Sequence, residues 1–277
     1  MDIILQAQGV CKAYDGRTVL RGVDLAIPRG QSVALMGHNG SGKTTLLRML
    51  AGLVRASSGS IERSGALRFG YVPEHFPKGP LSAAEYVRHM GRIEGLDRQT
   101  VDARSQALFA DFFMDSMTNI PMKHLSKGTL QKVGVVQALV AGHDVLLLDE
   151  PLNGQDAASQ QVFIRKVNDL RAQGYTVILS CHEPYLVRQI SDVVYEIREG
   201  KLVRAQLPEV DASARAVLLF DGTLPEEGLR GLPEGCLLEP LEGGLRLTVP
   251  QAETNALILR MLQEGWRLRG MYDEDDA

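Results

Sequence analysis

Residues 37–45 read GHNGSGKTT and lie between a short apolar run, SVAL, and a segment with apolar residues at helical spacing, LLRMLAGL. Glycines allow the backbone to curl so that its N–H groups converge on an anion at the positive end of the following helix. This order predicts a strand, a phosphate-binding loop and a helix. An ordinary glycine turn is the alternative, but it leaves the lysine and the threonines unexplained.

The loop supplies groups suited to a nucleoside triphosphate. Lys43 can reach the outer phosphates, and Thr44 can offer its hydroxyl to Mg²⁺. His38 carries no chemistry in this interpretation and is expected to be solvated. The residues predicted to surround the nucleotide here are Gly37, Asn39, Gly40, Ser41, Gly42, Lys43, Thr44 and Thr45.

A second segment, VLLLDE at residues 145–150, ends an apolar run with two carboxylates. A buried strand places Asp149 where it can hold Mg²⁺ through water, and Glu150 where it can polarise an attacking water. The alternative is that the two acids cap the following helix. With a phosphate loop upstream, the hydrolytic interpretation is favoured.

Composition limits the classes of protein to consider. The 277 residues suit one large domain or a large domain with a small one, and a net charge of −4 provides no basic surface for nucleic acid. Cys11, Cys181 and Cys236 show no paired spacing and suit a reducing compartment. No apolar run approaches the ~18 residues of a membrane span, and the N-terminus lacks signal-peptide features. We therefore expect a soluble chain that reaches a membrane only through a partner.

The pattern of elements predicts an α/β fold. Short apolar runs alternate with helical segments, which favours a largely parallel sheet. Between Pro77 and about His124 the sequence predicts amphipathic helices without a clear strand. After about Val203, the order of predicted elements is βαββαβ, with its first helix at PEEGLRGL (residues 225–232) and Trp266 in the core.

One further motif identifies a family. LSKGT at Leu125–Thr129 precedes a helix, about twenty residues before LLLDE, and resembles the signature of ABC-type ATPases. The other motifs of that family follow the same order: Tyr14 in the first strand, Glu74 in YVPEH, NGQD at Asn153–Asp156, and His182 in SCHE. The resemblance covers residues 1–205.

The resemblance implies a fold and its division. Residues 1–205 would form a P-loop ABC-type nucleotide-binding domain, with a mixed sheet core and a helical subdomain at about 77–140. Residues 206–277 would form a small C-terminal α+β accessory domain.

The resemblance also assigns roles around ATP and Mg²⁺. Tyr14 would stack on the adenine, and Glu74 would join Thr44 and Asp149 at the metal. The attacking water would lie between Glu150 and the switch residue His182. Lys43, with the loop amides, would stabilise charge on the transferring phosphoryl group.

The signature implies a partner protomer. In the family, the residues equivalent to Ser126 and Gly128 touch the γ-phosphate held by a second protomer, in a head-to-tail dimer. This chain carries one set of motifs, so it requires a second copy or a related chain. It also lacks membrane helices, which implies a separate membrane-spanning subunit and a location on the inner, cytoplasmic face of the cell membrane.

Three positions depart from the usual family pattern. Lys127 replaces a glycine and Thr129 a glutamine in the signature, and Glu74 replaces a glutamine. LSKG and YxPE together are similar to bacterial ATPase subunits that export drugs or polysaccharides. We therefore expect an ATP-hydrolysing subunit of an exporter that does not bind nucleic acid.

Other functions fit parts of the pattern. An importer subunit shares every motif, and a regulatory ATPase would use the C-terminal domain to sense a ligand. Chromosome-maintenance ATPases place a long coiled coil between the loop and the signature, but here only about eighty residues separate them. The sequence does not identify the transported substrate.

Overall fold

A computed structural model describes residues 2–206, 215–222, 232 and 235–274. The chain divides into two compact units. The first comprises Met1–Gln155 with Phe163–Pro208, and the second comprises Asp156–Val162 with Glu209–Ala277.

The first unit is built on a six-stranded sheet with the order β5-β6-β7-β3-β8-β9. Every pairing is parallel except that of the edge strand β9 with β8, so the sheet is mixed. Its strands are β3 (Ser32–Met36), β5 (Phe69–Val72), β6 (Val145–Asp149), β7 (Thr176–Ser180), β8 (Val193–Arg198) and β9 (Lys201–Ala205). All residues of β6 and β7 are buried, as expected for apolar runs in a sheet covered on both faces.

A second, antiparallel sheet has the order β2-β1-β4. Its strands are β1 (Ile3–Tyr14), β2 (Arg17–Pro28) and β4 (Ser58–Arg63). Asp15 and Gly16 join β1 to β2 with φ angles of 47° and 79°, the positive values that a two-residue hairpin turn requires. Buried residues of this sheet, such as Val10 and Leu20, share one core with Val33 of β3 and Leu46 of the first helix.

The helices of this unit are α1 (Lys43–Leu50), α2 (Ala83–Ile93), α3 (Arg98–Asp111), α4 (Lys127–Val140), α5 (Ala157–Ala172, shared with the second unit) and α6 (Pro184–Ile190). Three of them, α2, α3 and α4, begin with side-chain caps. Ser82 and Glu85 form a reciprocal capping box at α2, and Asp97 caps α3. Residues 77–140 are all described; they contain α2, α3, α4 and the isolated bridge Ser82–Pro121, but no strand. None of the described helices is both long and apolar enough to span a bilayer.

The second unit contains a four-stranded antiparallel sheet with the order β11-β12-β10-β13. Its elements are β10 (Arg215–Asp221), β11 (Leu237–Leu241), β12 (Gly244–Pro250), α7 (Thr254–Gln263) and β13 (Arg267–Asp273). This strand order is the one that a βαββαβ chain produces. The predicted helix at residues 225–232 lies outside the described residues, apart from Leu232. Trp266 is buried in the core of this unit with Phe220 and Ile258, as predicted.

Candidate nucleotide-binding and active site

Most of the predicted motifs of the first unit, with the exception of the signature, converge on one cavity of about 570 Å³. The predicted residues that line it are Tyr14, Asn39, Gly40, Gly42, Lys43, Thr44, Thr45, Glu74, Glu150 and His182. Val19 and Asn153 also line it. The cavity therefore joins the glycine loop, Glu150 of the acidic pair and the switch histidine; Lys43 and His182, for example, are 139 residues apart in sequence.

The glycine loop runs from the end of β3 to the start of α1. Gly37, Gly40 and Gly42 have φ angles of 139°, 78° and 112°. A Cβ on Gly37 would lie 2.9 Å from the Ile197 carbonyl oxygen, and one on Gly42 would lie 2.9 Å from Leu20 Cδ2. Because both the conformation and the space exclude a side chain, the two glycines are required for this turn.

Lys43 and Ser41 present hydrogen-bond donors within the loop. The Lys43 side chain is only 6% exposed, and its ammonium donates to the carbonyl oxygens of Gly37 (2.7 Å) and His38 (3.3 Å). The hydroxyl of the buried Ser41 has no hydrogen-bond partner among the described residues. His38 itself is exposed, as predicted. The loop thus concentrates donors and positive charge at the N-terminus of α1, where an anion is stabilised.

Glu150 lies directly after β6 in a left-handed backbone conformation, with φ at 47°. Its carboxylate is 13% exposed and lies 2.8 Å from His182 Nε2 and 3.7 Å from Lys43 Nζ. Burial raises the pKa of Glu150, and the charges of Asp149 and Glu74 raise it further, while Lys43 opposes them. A raised pKa makes this carboxylate a better proton acceptor than an ordinary glutamate once it is ionised.

His182 lies after β7 and is 41% exposed. Burial lowers its pKa, the charge of Lys43 lowers it further, and Glu74 acts in the opposite direction. Because the imidazole is neutral at neutral pH under these influences, its Nε2 can either donate or accept a hydrogen bond.

Asp149 and Thr44 meet at the bottom of the site. Asp149 is fully buried, and its Oδ1 accepts hydrogen bonds from the hydroxyls of Thr44 (3.0 Å) and Ser180 (2.8 Å). Thr44 and Glu74 line the cavity, whereas Asp149 is not among its lining residues. Carboxylate and hydroxyl oxygens are the donors that Mg²⁺ prefers. Among the described residues, no group of three or more His, Cys, Asp or Glu side chains is placed to hold a metal ion.

Tyr14 forms the rim of the cavity at the end of β1. Its ring is 43% exposed, and Lys12 Nζ lies 4.7 Å from the ring centroid. An exposed aromatic face beside a phosphate site is available for a base to stack on.

The signature segment lies elsewhere on the first unit. Ser126 caps α4, and its hydroxyl accepts from the Thr129 N–H (3.1 Å) and lies 2.7 Å from the Thr129 hydroxyl. Neither Ser126 nor Gly128 is among the described residues that line the cavity. Gly128 is buried against the Gly154 carbonyl oxygen, which a Cβ on Gly128 would approach to 2.0 Å. The cavity and the signature of one chain are therefore separate surfaces.

Two contributors were missed by the sequence analysis. Ser180 donates to Asp149 and accepts from the Glu150 N–H (2.8 Å), and the Tyr71 hydroxyl lies 3.4 Å from Asp149 Oδ2. In each case the sequence contained only one signal, a residue with a hydroxyl group at or near the end of an apolar strand. Such a residue is equally compatible with an ordinary strand end.

Known proteins are similar to this chain in sequence. The profile of the family described as ABC transporter matches residues 20–153. The zinc import ATP-binding protein ZnuC of Halorhodospira halophila is 33% identical over 205 residues, which are 73% of this chain and 76% of that protein. The Nod factor export ATP-binding protein I of Ralstonia nicotianae is 29% identical over 216 residues, 74% of this chain and 67% of that protein.

Comparison of the fold with solved structures indicates the same family. The solved structure of an ATP-binding subunit of an ABC transporter superposes with a TM-score of 0.68 and 26% identity, covering 74% of this chain and 90% of that one. The resemblance seen in the motifs is thus confirmed by the relatives and by the fold. The chain belongs to the ATP-binding subunits of ABC transporters and is an ATP hydrolase.

Proposed function

We propose that this subunit converts ATP-driven closure of a dimer into motion of a separate membrane-spanning subunit, at the cytoplasmic face of the cell membrane. One observation carries the proposal: the cavity contains the phosphate loop, the base and the switch histidine, whereas the signature of the same chain lies outside it. Because the signature does not line the cavity of its own chain, it is available to contact the nucleotide of a second protomer, which is either a copy or a related chain.

The residues of the site have different roles in hydrolysis. Lys43 and the loop amides bind the outer phosphates and stabilise charge on the transferring group. Glu150 accepts a proton from the attacking water, and His182 orients that water from the other side. Thr44, Asp149 and Glu74 would hold Mg²⁺, which neutralises phosphate charge when bound. Tyr14 stacks on the adenine.

Closure of the dimer requires contacts that exist only in the closed state, since ligands shift an equilibrium only through differential binding. Ser126 and Gly128 would supply these contacts to the γ-phosphate held by the partner. Lys127 is exposed beside them and adds positive charge to the same surface. Loss of the γ-phosphate removes the contacts, so the dimer reopens after hydrolysis.

Export is the direction that we propose. Its support is the combination of LSKG, which contains Lys127, with YxPE, which contains Glu74, because the two together are similar to export-type subunits. Import is the second candidate, because ZnuC, named for zinc import, is the more similar of the two relatives described above. Flux of a labelled substrate across vesicles that contain the assembled transporter would distinguish the two directions.

Residues 206–277 form an accessory domain in this proposal. Its role would be to brace the dimer or cover a loop rather than to sense a ligand. No nucleic acid is expected to bind, since the chain carries a net charge of −4.

The oligomeric state of a Glu150→Gln variant tests the proposal. Without its base, the variant should bind Mg·ATP, hydrolyse it slowly and form a stable dimer, while the wild type remains mostly monomeric. Light scattering after size-exclusion chromatography, with and without Mg·ATP, measures this difference. Glu62→Gln, on an exposed position of β4, is the matched control and should behave as wild type. ATP binding without dimerisation would contradict a homodimer and direct attention to a related partner chain.

A further inference from the structure

Asp149 is surrounded by three hydroxyl groups, and only that of Thr44 belongs to the predicted site. We propose that Ser180 and Tyr71 are positioning residues that hold the Asp149 carboxylate in its metal-binding orientation. Ser180 also fixes the backbone that carries Glu150. This inference rests on the metal role proposed above for Asp149.

Ser180 connects the two functional carboxylates through one oxygen. It ends β7 directly opposite Asp149 in the parallel register of β6 and β7, and it is fully buried. Its hydroxyl donates to Asp149 Oδ1 at 2.8 Å and accepts from the backbone N–H of Glu150 at 2.8 Å. A serine hydroxyl has one proton to donate and lone pairs to accept, so both bonds form at once.

The bond to the Glu150 N–H matters because of the backbone conformation there. Glu150 has a φ of 47°, in the left-handed region that residues with a Cβ seldom adopt. A partly buried N–H in such a turn needs a partner, and Ser180 provides it. The turn carries the chain from Asp149, which is buried in the sheet, to Glu150, whose carboxylate faces the cavity.

Tyr71 contacts the other oxygen of Asp149. Its hydroxyl lies 3.4 Å from Oδ2 and accepts a hydrogen bond from Arg48 Nε at 3.3 Å. The phenol hydroxyl has one proton, which it donates to Asp149 Oδ2, and lone pairs that accept from Arg48. Tyr71 lies on β5, three residues before Glu74, and therefore connects Asp149 to the strand that leads to this residue.

Hydroxyl groups are better suited than cations to hold a metal-binding carboxylate in place. Hydroxyl donors to both oxygens fix the plane of the carboxylate. Unlike a lysine or arginine in direct contact, they leave its negative charge available to a metal ion. Arg48 Nε donates to the Tyr71 hydroxyl, so Tyr71 lies between the Arg48 guanidinium and the Asp149 carboxylate.

The test measures metal affinity directly. Mn²⁺ serves as the probe for the metal site, and its free concentration is followed by electron paramagnetic resonance during titration into the full chain saturated with ADP. Ser180→Ala should weaken Mn²⁺ binding about tenfold or more, the value expected for a lost hydrogen bond to a charged group. Tyr71→Phe should weaken it less, because its contact is longer. ADP affinity without metal should not change in either variant.

Matched variants separate positioning from packing. Ser32→Ala removes another fully buried serine hydroxyl, on the neighbouring strand β3, where it donates to the Ile190 carbonyl. It should leave Mn²⁺ affinity unchanged. Ser180→Thr keeps the hydroxyl and should restore most of the affinity. Tyr71→Phe is nearly isosteric and keeps the proposal testable if Ser180→Ala does not fold.

Asp149→Asn distinguishes failure of the inference from failure of the proposed function. If Asp149→Asn leaves Mn²⁺ affinity intact, the metal role of Asp149 is wrong. If Asp149→Asn weakens binding while Ser180→Ala and Tyr71→Phe match Ser32→Ala, the metal role stands and the positioning role is overturned.

Discussion

His182 Nε2 lies 2.8 Å from Glu150 Oε1 and 3.1 Å from Lys43 Nζ, so a single ring nitrogen faces both a base and a cation. A neutral imidazole nitrogen donates or accepts, but does not do both. In this structure Nε2 accepts from the Lys43 ammonium, and the buried Glu150 Oε1 has no hydrogen-bond partner among the described residues. Movement of the Lys43 ammonium onto a phosphate would release Nε2 for Glu150 or for the attacking water.

Replacement of this histidine tests its role as an orienting group. His182→Gln should lower kcat about 10²–10³-fold, the range typical for loss of one preorganised hydrogen-bond group. The affinity for a fluorescent ATP analogue should change little, because Lys43 and the loop remain. His75→Gln, at a side chain that is 74% exposed beside Glu74, is the control. Wild-type turnover in His182→Gln would exclude the switch role.

The acidic limb of the pH–rate profile should report on Glu150. As a base, Glu150 acts only when ionised, so activity is present above its pKa and is lost as pH falls through it. Burial raises this pKa, and the negative charge of Glu74 contributes to the rise. Glu74→Gln removes that charge, which lowers the pKa and moves the acidic limb to lower pH.

Steady-state kcat at saturating Mg·ATP, measured over about pH 4–8 around the ordinary glutamate value, locates the limb. Glu62→Gln controls for a change in net charge far from the cavity and should leave the midpoint in place. An unchanged or upward-shifted midpoint in Glu74→Gln would show that another group limits the acidic side.

Much of the cavity could be predicted because its motifs are local. The glycine loop, the acidic pair and the switch histidine each lie within a few residues of a strand end, so each motif carries its own structural context. Ser180 and Tyr71 could not be predicted in this way. Their contacts with Asp149 depend on the strand order β5-β6-β7 and its register, which link residues 31 and 78 positions apart.

Some strands were also missing from the prediction. β4 reads SGSIER and is mostly exposed, and β5 has only four residues, so neither shows a clear period. β8 and β9 form an antiparallel pair at one edge of the sheet, and neither strand carries one of the motifs. In the second unit, strands β10, β12 and β13 and helix α7 contribute to one small core, whereas every residue of β11 is exposed.

Base stacking on Tyr14 leads to a prediction about affinity. Loss of an aromatic platform costs about 1–3 kcal/mol per stacked base, which corresponds to roughly five- to 150-fold in Kd. Tyr14→Ala should therefore weaken binding of a fluorescent ATP analogue within this range, whereas Tyr14→Phe should retain most of the affinity. Fluorescence titration measures both. Equal losses in the two variants would point to the hydroxyl instead of the ring, and no loss in either would place the adenine elsewhere.

The Gly128→Ala variant tests both the packing of the signature segment and its role in the dimer. In the interior of an exposed helix, replacing glycine by alanine stabilises a protein by about 1 kcal/mol. Here the added Cβ would lie 2.0 Å from the Gly154 carbonyl oxygen, a backbone atom that cannot rotate away. The start of α4 or the loop at Asn153–Asp156 must then shift, so we expect a loss of about 1–3 kcal/mol, typical of overpacking, and a lower Tm.

The same shift would displace Ser126, and the Mg·ATP-dependent dimer of a Glu150→Gln, Gly128→Ala double variant should therefore be weakened. Gly134→Ala, later in α4, is the matched control, since its Cβ would approach the Phe76 ring at 2.6 Å and a ring can tilt. Thermal unfolding and light scattering measure the two effects. A higher Tm for Gly128→Ala would show that the loop yields freely, and an intact dimer would mean that the signature tolerates the shift.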